Sequence, residues 1–276
     1  MTEQVHHHWF PSAPADARPS HWWYWGRAVY ISRRDYRRIF FGFLAIGVPM
    51  ALLGFLLPNA ILLRAAFVVA AIGLILLIYS FIGLYRMYGH PSMRYYARLL
   101  KEGGVAGKVD IADLHVGTYR TAFALTDLLP EATVHSIDCW NVEGPPPEEA
   151  VGDLRELEPR PTFHPRIVPG RANDFTLPLA NASCDVVIFG FGTHEIPTGG
   201  PREKLFEEAK RILRSSGRVL IFEHGQDWHN FLIFGPIISH VTRREEWLAT
   251  MRANFDDVKF SRSSAAVDLF SGQKRA

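Results

Sequence analysis

Ile111-Ala112-Asp113-Leu114-His115-Val116-Gly117-Thr118-Tyr119 is the stretch whose reading decides the fold of this 276-residue chain. Val109–Leu114 reads as a buried strand and Tyr119–Leu129 as a helix. Between them Gly117 lets the backbone approach a ligand closely, and the amides that open the helix point N–H groups at an anion. His115 and Tyr119 add bulk to that turn. The next strand, Thr133–Ile137, ends in Ser136-Ile137-Asp138. An acidic side chain about 20 residues beyond such a turn can accept both hydroxyls of an adenosine ribose. A strand-end turn or cap is the lesser alternative for Asp138.

Outward from this pair the alternation continues. Strands are expected at Phe163–Val168, Cys184–Phe191 and Arg218–Glu223, and helices at Glu148–Leu157, Arg202–Leu213 and Arg243–Ala253. Asp256–Ser261 and Ala265–Phe270 read as a closing antiparallel pair. The pattern predicts an α/β fold with a mostly parallel sheet, one domain over 108–276. A helical linker over 86–107 precedes it, beginning near Pro91 and closed by Gly103, Gly104 and Gly107. Pro145–Pro147 and Pro159–Pro165 mark surface excursions without chemistry.

This order of segments resembles the class I S-adenosylmethionine-dependent methyltransferases over 95–274. In that family the first strand runs into Asp-Leu-Gly-x-Gly-Thr-Gly. Asp113, Leu114, Gly117 and Thr118 stand in register with it, whereas His115 and Tyr119 replace the first and third glycines. Ala182-Ser183-Cys184-Asp185-Val186-Val187-Ile188 resembles the family's fourth strand. Phe206–Leu213 and Gly217–His224 resemble the branch that includes quinone C-methyltransferases. The resemblance implies a Rossmann-like class I methyltransferase sheet that binds S-adenosylmethionine. Its methionine carboxylate would meet the turn of Asp113, His115, Gly117 and Thr118, and its ribose Asp138. Gly170–Pro178 would bracket the adenine; Arg171 replaces the usual aspartate there, which leaves Ala172 and Asn173, with Phe189 nearby. The two replaced glycines leave three readings open: a shifted cofactor pose, a gained catalytic histidine, or a site that has lost binding.

Methyl transfer from a sulfonium needs an in-line approach and, for a hydroxyl or acidic carbon, a base. His115, His194, Glu195, Glu223 and His224 all fall at carboxyl ends of strands, where α/β sheets bind ligands. Histidine is the natural base near neutral pH. His194 is the first choice and His224 the second, with Glu195 beside them; each also suits a local structural role. Imidazole with carboxylate suits zinc, manganese or iron. Yet His194-Glu195 and Glu223-His224 are adjacent pairs rather than residues four apart, so no metal ligand is assigned and a divalent ion stays an open option. The apolar connection Gly225–Thr242 reads either as a lid that admits a prenyl or acyl chain or as a helix packed on the sheet.

Ahead of the domain stand two apolar runs, 39–57 and 65–85, each long enough to cross a bilayer as a helix. They form a transmembrane hairpin over 39–85 behind a polar and aromatic segment, 1–38. A cleaved signal peptide fits poorly, because no small-x-small site follows and a second run comes at once. A buried helical hairpin is the other alternative. Arg27, Arg33, Arg34, Arg37 and Arg38 precede the runs and Arg86, Arg94, Arg98 and Lys101 follow, with only Arg64 between. The positive-inside rule then places both termini and the domain on the cytoplasmic side of the inner membrane. His21-Trp22-Trp23-Tyr24-Trp25 reads as an interfacial aromatic belt or as an aromatic tail packed on the domain. His6-His7-His8 reads as part of a polar tail. A net charge of +2 gives no nucleic-acid footprint, and the isolated Cys139 and Cys184 exclude a disulfide framework.

The expectation is a membrane-anchored methyltransferase acting on a lipid-soluble acceptor, a quinone or its precursor ahead of a phospholipid. One alternative is a quinone-modifying enzyme of the rhodoquinone-forming type, which transfers an amino group with the same cofactor. The other is a methyltransferase-like membrane scaffold without catalysis.

Overall fold

The structure is a computed structural model that describes residues 9–57, 59–140 and 149–275. Its helices and strands run α1 (His21–Ile31), α2 (Arg33–Leu56), α3 (Ala60–Tyr88), α4 (Met93–Glu102), β1 (Asp110–His115), α5 (Arg120–Leu128), β2 (Thr133–Asp138) and α6 (Glu149–Leu157). There follow β3 (Ile167–Arg171), β4 (Cys184–Phe189), α7 (Pro201–Ile212), β5 (Leu213–His224), α8 (Trp228–Phe234), α9 (Arg244–Asn254), β6 (Phe255–Arg262) and β7 (Val267–Lys274). Pro58, Pro145–Pro147 and His6–His8 lie outside the described residues.

The strands make one seven-stranded sheet in the order β3-β2-β1-β4-β5-β7-β6. β1 to β5 pair in parallel, and β7 is antiparallel to both β5 and β6. This is the Rossmann-like class I methyltransferase sheet that the resemblance implies. Central strands such as β1 and β4 are buried along almost their whole length, as a parallel sheet covered on both faces requires. Register sets His115 opposite Asp138 and Leu114 opposite Phe189, so the ends of β1, β2, β4 and β5 share one edge.

Boundaries moved where the local pattern is weak. The third strand was expected at Phe163–Val168 and instead begins at Ile167, because Pro165 offers no amide to a ladder and pairing with β2 starts beyond it. The connection Gly225–Thr242 folds as helix packed on its neighbours. Asp227 caps α8 by accepting from the amides of His229 and Asn230, at 2.9 and 3.2 Å, and a 3-10 turn Gly235–His240 follows.

Two helices, α2 and α3, are long and apolar enough to cross a membrane by length and composition. Asn59 caps α3 at the hairpin turn by accepting from the amides of Ile61 and Leu62. At Gly54 a Cβ would stand 2.9 Å from the Leu63 amide nitrogen, so the two helices approach closely at that end. Their outer faces present Phe40, Phe41, Phe55, Ile61, Phe67 and Ile75. The other end of α3 enters the domain. Leu84 and Met87 are fully buried, and Ser80 donates to the carbonyl of Ile233 in α8. Helix α1 packs between α3 and the domain: Trp22 stacks on Tyr85, Trp25 donates to the Phe81 carbonyl at 3.2 Å, and Tyr24 is buried.

Candidate active site

Gly117 adopts a φ of 118°, a value that favours glycine, and turns the chain from β1 into α5. The space that a Cβ would take is already filled. Arg155 of α6 lies across it, its Cγ 2.4 Å from that position. The same guanidinium donates to the Val116 carbonyl at 3.0 Å and to both oxygens of Asp138, at 2.8 and 2.6 Å. Burial would raise the Asp138 pKa, but Arg155 and the Trp140 amide outweigh it and hold the carboxyl below its ordinary range.

Glu158, just past α6, closes the adjoining position. It accepts from the Tyr119 amide at 3.1 Å, the Thr118 hydroxyl at 2.7 Å and the Tyr24 hydroxyl at 3.1 Å, and it pairs with Arg27. A buried carboxylate therefore sits on the first amide ahead of α5, where the dipole of that helix favours an anion. Arg33, which opens α2, holds α6 through Asp153 at 2.6 Å.

On the other side of β1 a cavity of about 180 Å³ opens beneath α1 and α3. Its walls include His115, Arg120, Phe191, His194, Glu195 and His224. The Nδ1 atom of His115 accepts from the Gly117 amide at 2.9 Å, which leaves its Nε2–H without a partner among the described residues. Burial drives its pKa down to about 4, so the ring is neutral. Arg120 donates to the Met87 carbonyl at 2.7 Å and to the Tyr95 hydroxyl at 2.9 Å, and its guanidinium lies 4.8 Å from the centre of the Tyr88 ring. No carboxylate pairs with it among the described residues.

His194, in the 3-10 turn Thr193–Glu195 beyond β4, and His224, the last residue of β5, are in opposite states. His194 donates from Nδ1 to Glu223 at 2.9 Å, and its Nε2 lies 3.3 Å from Glu195. Burial would lower its pKa, but Glu223 and Glu195 outweigh that and raise it to about 10. His194 therefore carries a proton at neutral pH and has no base to offer. His224 lies flat on Phe191, 4.0 Å between centroids and 2° between planes, with Nε2 3.0 Å from the Tyr88 hydroxyl. Burial first, then the charges of His194, Arg120 and His240, push its pKa well below the ordinary value. Its Nδ1 has no partner among the described residues. The second choice from sequence is thus the neutral one.

Of the other expected residues, Asp113 is fully buried beneath the turn, held by Ser136 at 3.1 Å, and burial raises its pKa to about 7. Thr118 lines the cavity and binds Glu158. Ala172 is buried with its amide on the Asp138 carbonyl, and Asn173 bridges to Thr176, both on the far side of Asp138 from the cavity. The ring of Phe189 stacks on Phe206 in the core, 4.7 Å between centroids, so it turns away from the cavity. Sequence reading missed Arg155, Glu158, Arg120, Tyr88 and His240. Arg155, Glu158, Tyr88 and His240 come from helices or turns distant in the chain, and Arg120 directly follows Tyr119 at the start of α5, where no motif marks it.

The chain is similar in part to known methyltransferases. Residues 114–221 match a family model described as a methyltransferase domain. The ubiquinone/menaquinone biosynthesis C-methyltransferase UbiE of Syntrophotalea carbinolica is 28% identical over 128 residues, 46% of this chain and 48% of that protein. The chain thus spans about half the length of that curated relative. Among solved structures, a SAM-dependent methyltransferase from Aquifex aeolicus gives a TM-score of 0.49 at 15% identity, covering 65% of this chain and 89% of that one. Geranyl diphosphate C-methyltransferase from Streptomyces coelicolor gives 0.48 at 14% identity, over 71% and 79%. The family match falls within the region that forms the seven-stranded sheet, from the end of β1 to β5.

Proposed function

We propose that this chain is a membrane-anchored, S-adenosylmethionine-dependent methyltransferase whose acceptor is lipid-soluble, a quinone or quinone precursor ahead of a phospholipid. The observation that carries this reading is the meeting of two spaces. A groove of about 730 Å³, lined almost wholly by apolar side chains, lies between α2, α3 and α8. It adjoins the cavity at His224 along all three walls. On α2, Tyr36 and Ile39 face the groove, and Asp35 with Ser32 just ahead of the helix faces the cavity; on α3 the corresponding residues are Ser80 and Leu84. From α8, Ile233 faces the groove and Phe234 the cavity. An isoprenoid or acyl tail in the groove would set a ring or head group in the cavity. The arginines at the domain end, against Arg64 alone at the far turn, support a cytoplasmic domain by the positive-inside rule.

The residues that would hold S-adenosylmethionine fit it in kind. Asp138 suits the ribose hydroxyls, the opening of α5 with Thr118 suits a carboxylate, Gly117 permits close approach, and Ala172 and Asn173 flank the adenine. Arg155 and Glu158 hold these positions now, so binding requires the end of α6 to release them. When bound, the sulfonium supplies an electrophilic methyl group. The chain supplies the rest: the neutral ring of His224 takes the acceptor proton, and the buried Arg120 cation stabilises the oxyanion left behind. Apolar walls keep water from the exchange.

Calorimetry on the full chain in detergent micelles, titrated with S-adenosylmethionine, is the test. Micromolar binding, followed by transfer of labelled methyl into the quinone fraction of a lipid extract, is expected. The mass of the product separates methyl from amino transfer. The self-occupied turn favours the catalytically silent scaffold instead, and absence of binding in both the wild type and Arg155→Ala would establish that reading.

A further inference from the structure

We infer that His194, Glu195 and His240 form a binding site for a divalent first-row transition metal ion in the cavity wall. The ligand atoms of the three residues all lie within 4.8 Å of one another. Glu195 Oε1 stands 3.3 Å from His194 Nε2 and 3.2 Å from His240 Nε2. Donor atoms bound at about 2.1 Å around one small cation are separated by about 3–3.5 Å, so two of the three spacings already suit it.

The outer hydrogen bonds point the same way. Each imidazole has its Nδ1 on an acceptor, His194 on the buried Glu223 carboxylate and His240 on the Ile237 carbonyl. That arrangement sets both rings with Nε2 toward Glu195, as partners behind metal-binding histidines do, and a bound cation takes the place of the His194 Nε2 proton, which leaves to solvent. The frame is rigid on both sides. Arg202 donates to the carbonyls of His194 and Ile196 and to the Thr242 hydroxyl, tying the two ligand-bearing turns together. Gln226 binds the carbonyls of Ser239 and Val241, on either side of His240. Gly192, at a φ of 97°, makes the turn that delivers His194, and a Cβ there would strike Val116 at 2.4 Å.

Two imidazoles and one carboxylate exclude calcium and magnesium as preferred occupants and suit zinc, manganese or ferrous iron. Three protein ligands leave coordination positions open, the pattern of a reactive rather than a structural site. All three residues line the cavity that holds His224 and Arg120. An acceptor hydroxyl or carbonyl oxygen is the ligand that an open position takes, and this role rests on the proposed function; the metal site itself does not.

The test uses the full chain in detergent with His6→Ala, His7→Ala and His8→Ala throughout, so that the N-terminal histidines cannot compete. Chelator-stripped protein is equilibrated separately with Zn²⁺, Mn²⁺ and Fe²⁺, and bound metal is counted by mass spectrometry. One equivalent per chain is expected, with affinity lowered at least tenfold in His240→Gln and Glu195→Gln. Glu223→Gln, which removes no ligand, should weaken binding by about 10–100-fold. His240 is partly exposed, so its replacement leaves the fold intact, which a melting curve checks. No equivalent of any of the three metals, or equal retention by folded His240→Gln, overturns the site. Cofactor titration without metal is read separately, so failure here and failure of the methyltransferase reading remain distinct.

Discussion

The two halves of the site differ in what satisfies their polar groups. Around Asp138 and the start of α5, each group that would grip a cofactor already has a protein partner: Arg155 on the carboxylate, Glu158 on the hydroxyl and amide. Across β1, in the cavity, His115 Nε2 and His224 Nδ1 have none among the described residues, and Arg120 is a buried cation without a carboxylate. Buried polar groups are costly unless paired. The first half is therefore a closed state of low energy, and the second is shaped for something that arrives. Arg27 of α1 pairs with Glu158 and Arg33 of α2 with Asp153, so the N-terminal helices are tied to the segment that covers the turn.

Five substitutions, one of them with a rescuing partner, test that contrast, beginning with the strongest. His224→Asn should lower kcat by about 10²–10⁴-fold with cofactor affinity unchanged, because only proton removal is lost. A change confined to KM would remove His224 from the chemistry. Next, Arg27→Met leaves the Glu158 charge buried and unpaired, a loss of about 3–5 kcal/mol in denaturant melts. Adding Glu158→Leu should recover most of it, and a double variant as weak as the single one would show that Arg27 acts through packing alone.

Asp113 gives the pH dependence. Its native pKa, about 7, stands above the ordinary carboxyl value, so the folded state holds the proton more tightly than the unfolded chain. Stability falls as pH rises from about 4 to about 7, by at most about 3 kcal/mol between pH 5 and 7. Asp113→Asn should flatten that slope; an unaltered slope in melts at pH 5 and 8 would assign it elsewhere. The smallest effects concern the cofactor itself. Arg155→Ala should tighten S-adenosylmethionine binding and Asp138→Ala weaken it, each by about tenfold, or about 1.4 kcal/mol. Equal affinities in all three proteins would remove both residues from the ribose position.

How much of this was legible follows from how local each signal is. The strand–turn–helix at 111–119 and the acid at Asp138 were readable because strand period, glycine and charge act within a few residues. The hairpin was readable because twenty apolar residues in a row have few other fates. The assignment of the base went the other way. His194 and His224 look alike in sequence, and what separates them is Glu223, which accepts from the His194 ring, against Phe191, which covers the His224 ring.

The sequence by itself determined the α/β order, the parallel sheet with its antiparallel end, the two apolar helices and the strand-end placement of the histidines. All of these rest on periodicity and on residues adjacent in the chain. Tertiary structure alone decided which histidine is neutral, that Arg155 and Glu158 occupy the cofactor turn, and that His240 joins His194 and Glu195. Those outcomes depend on burial and on charges brought together from segments about 20 to 130 residues apart, and the energy of such contacts exists only once the sheet has packed.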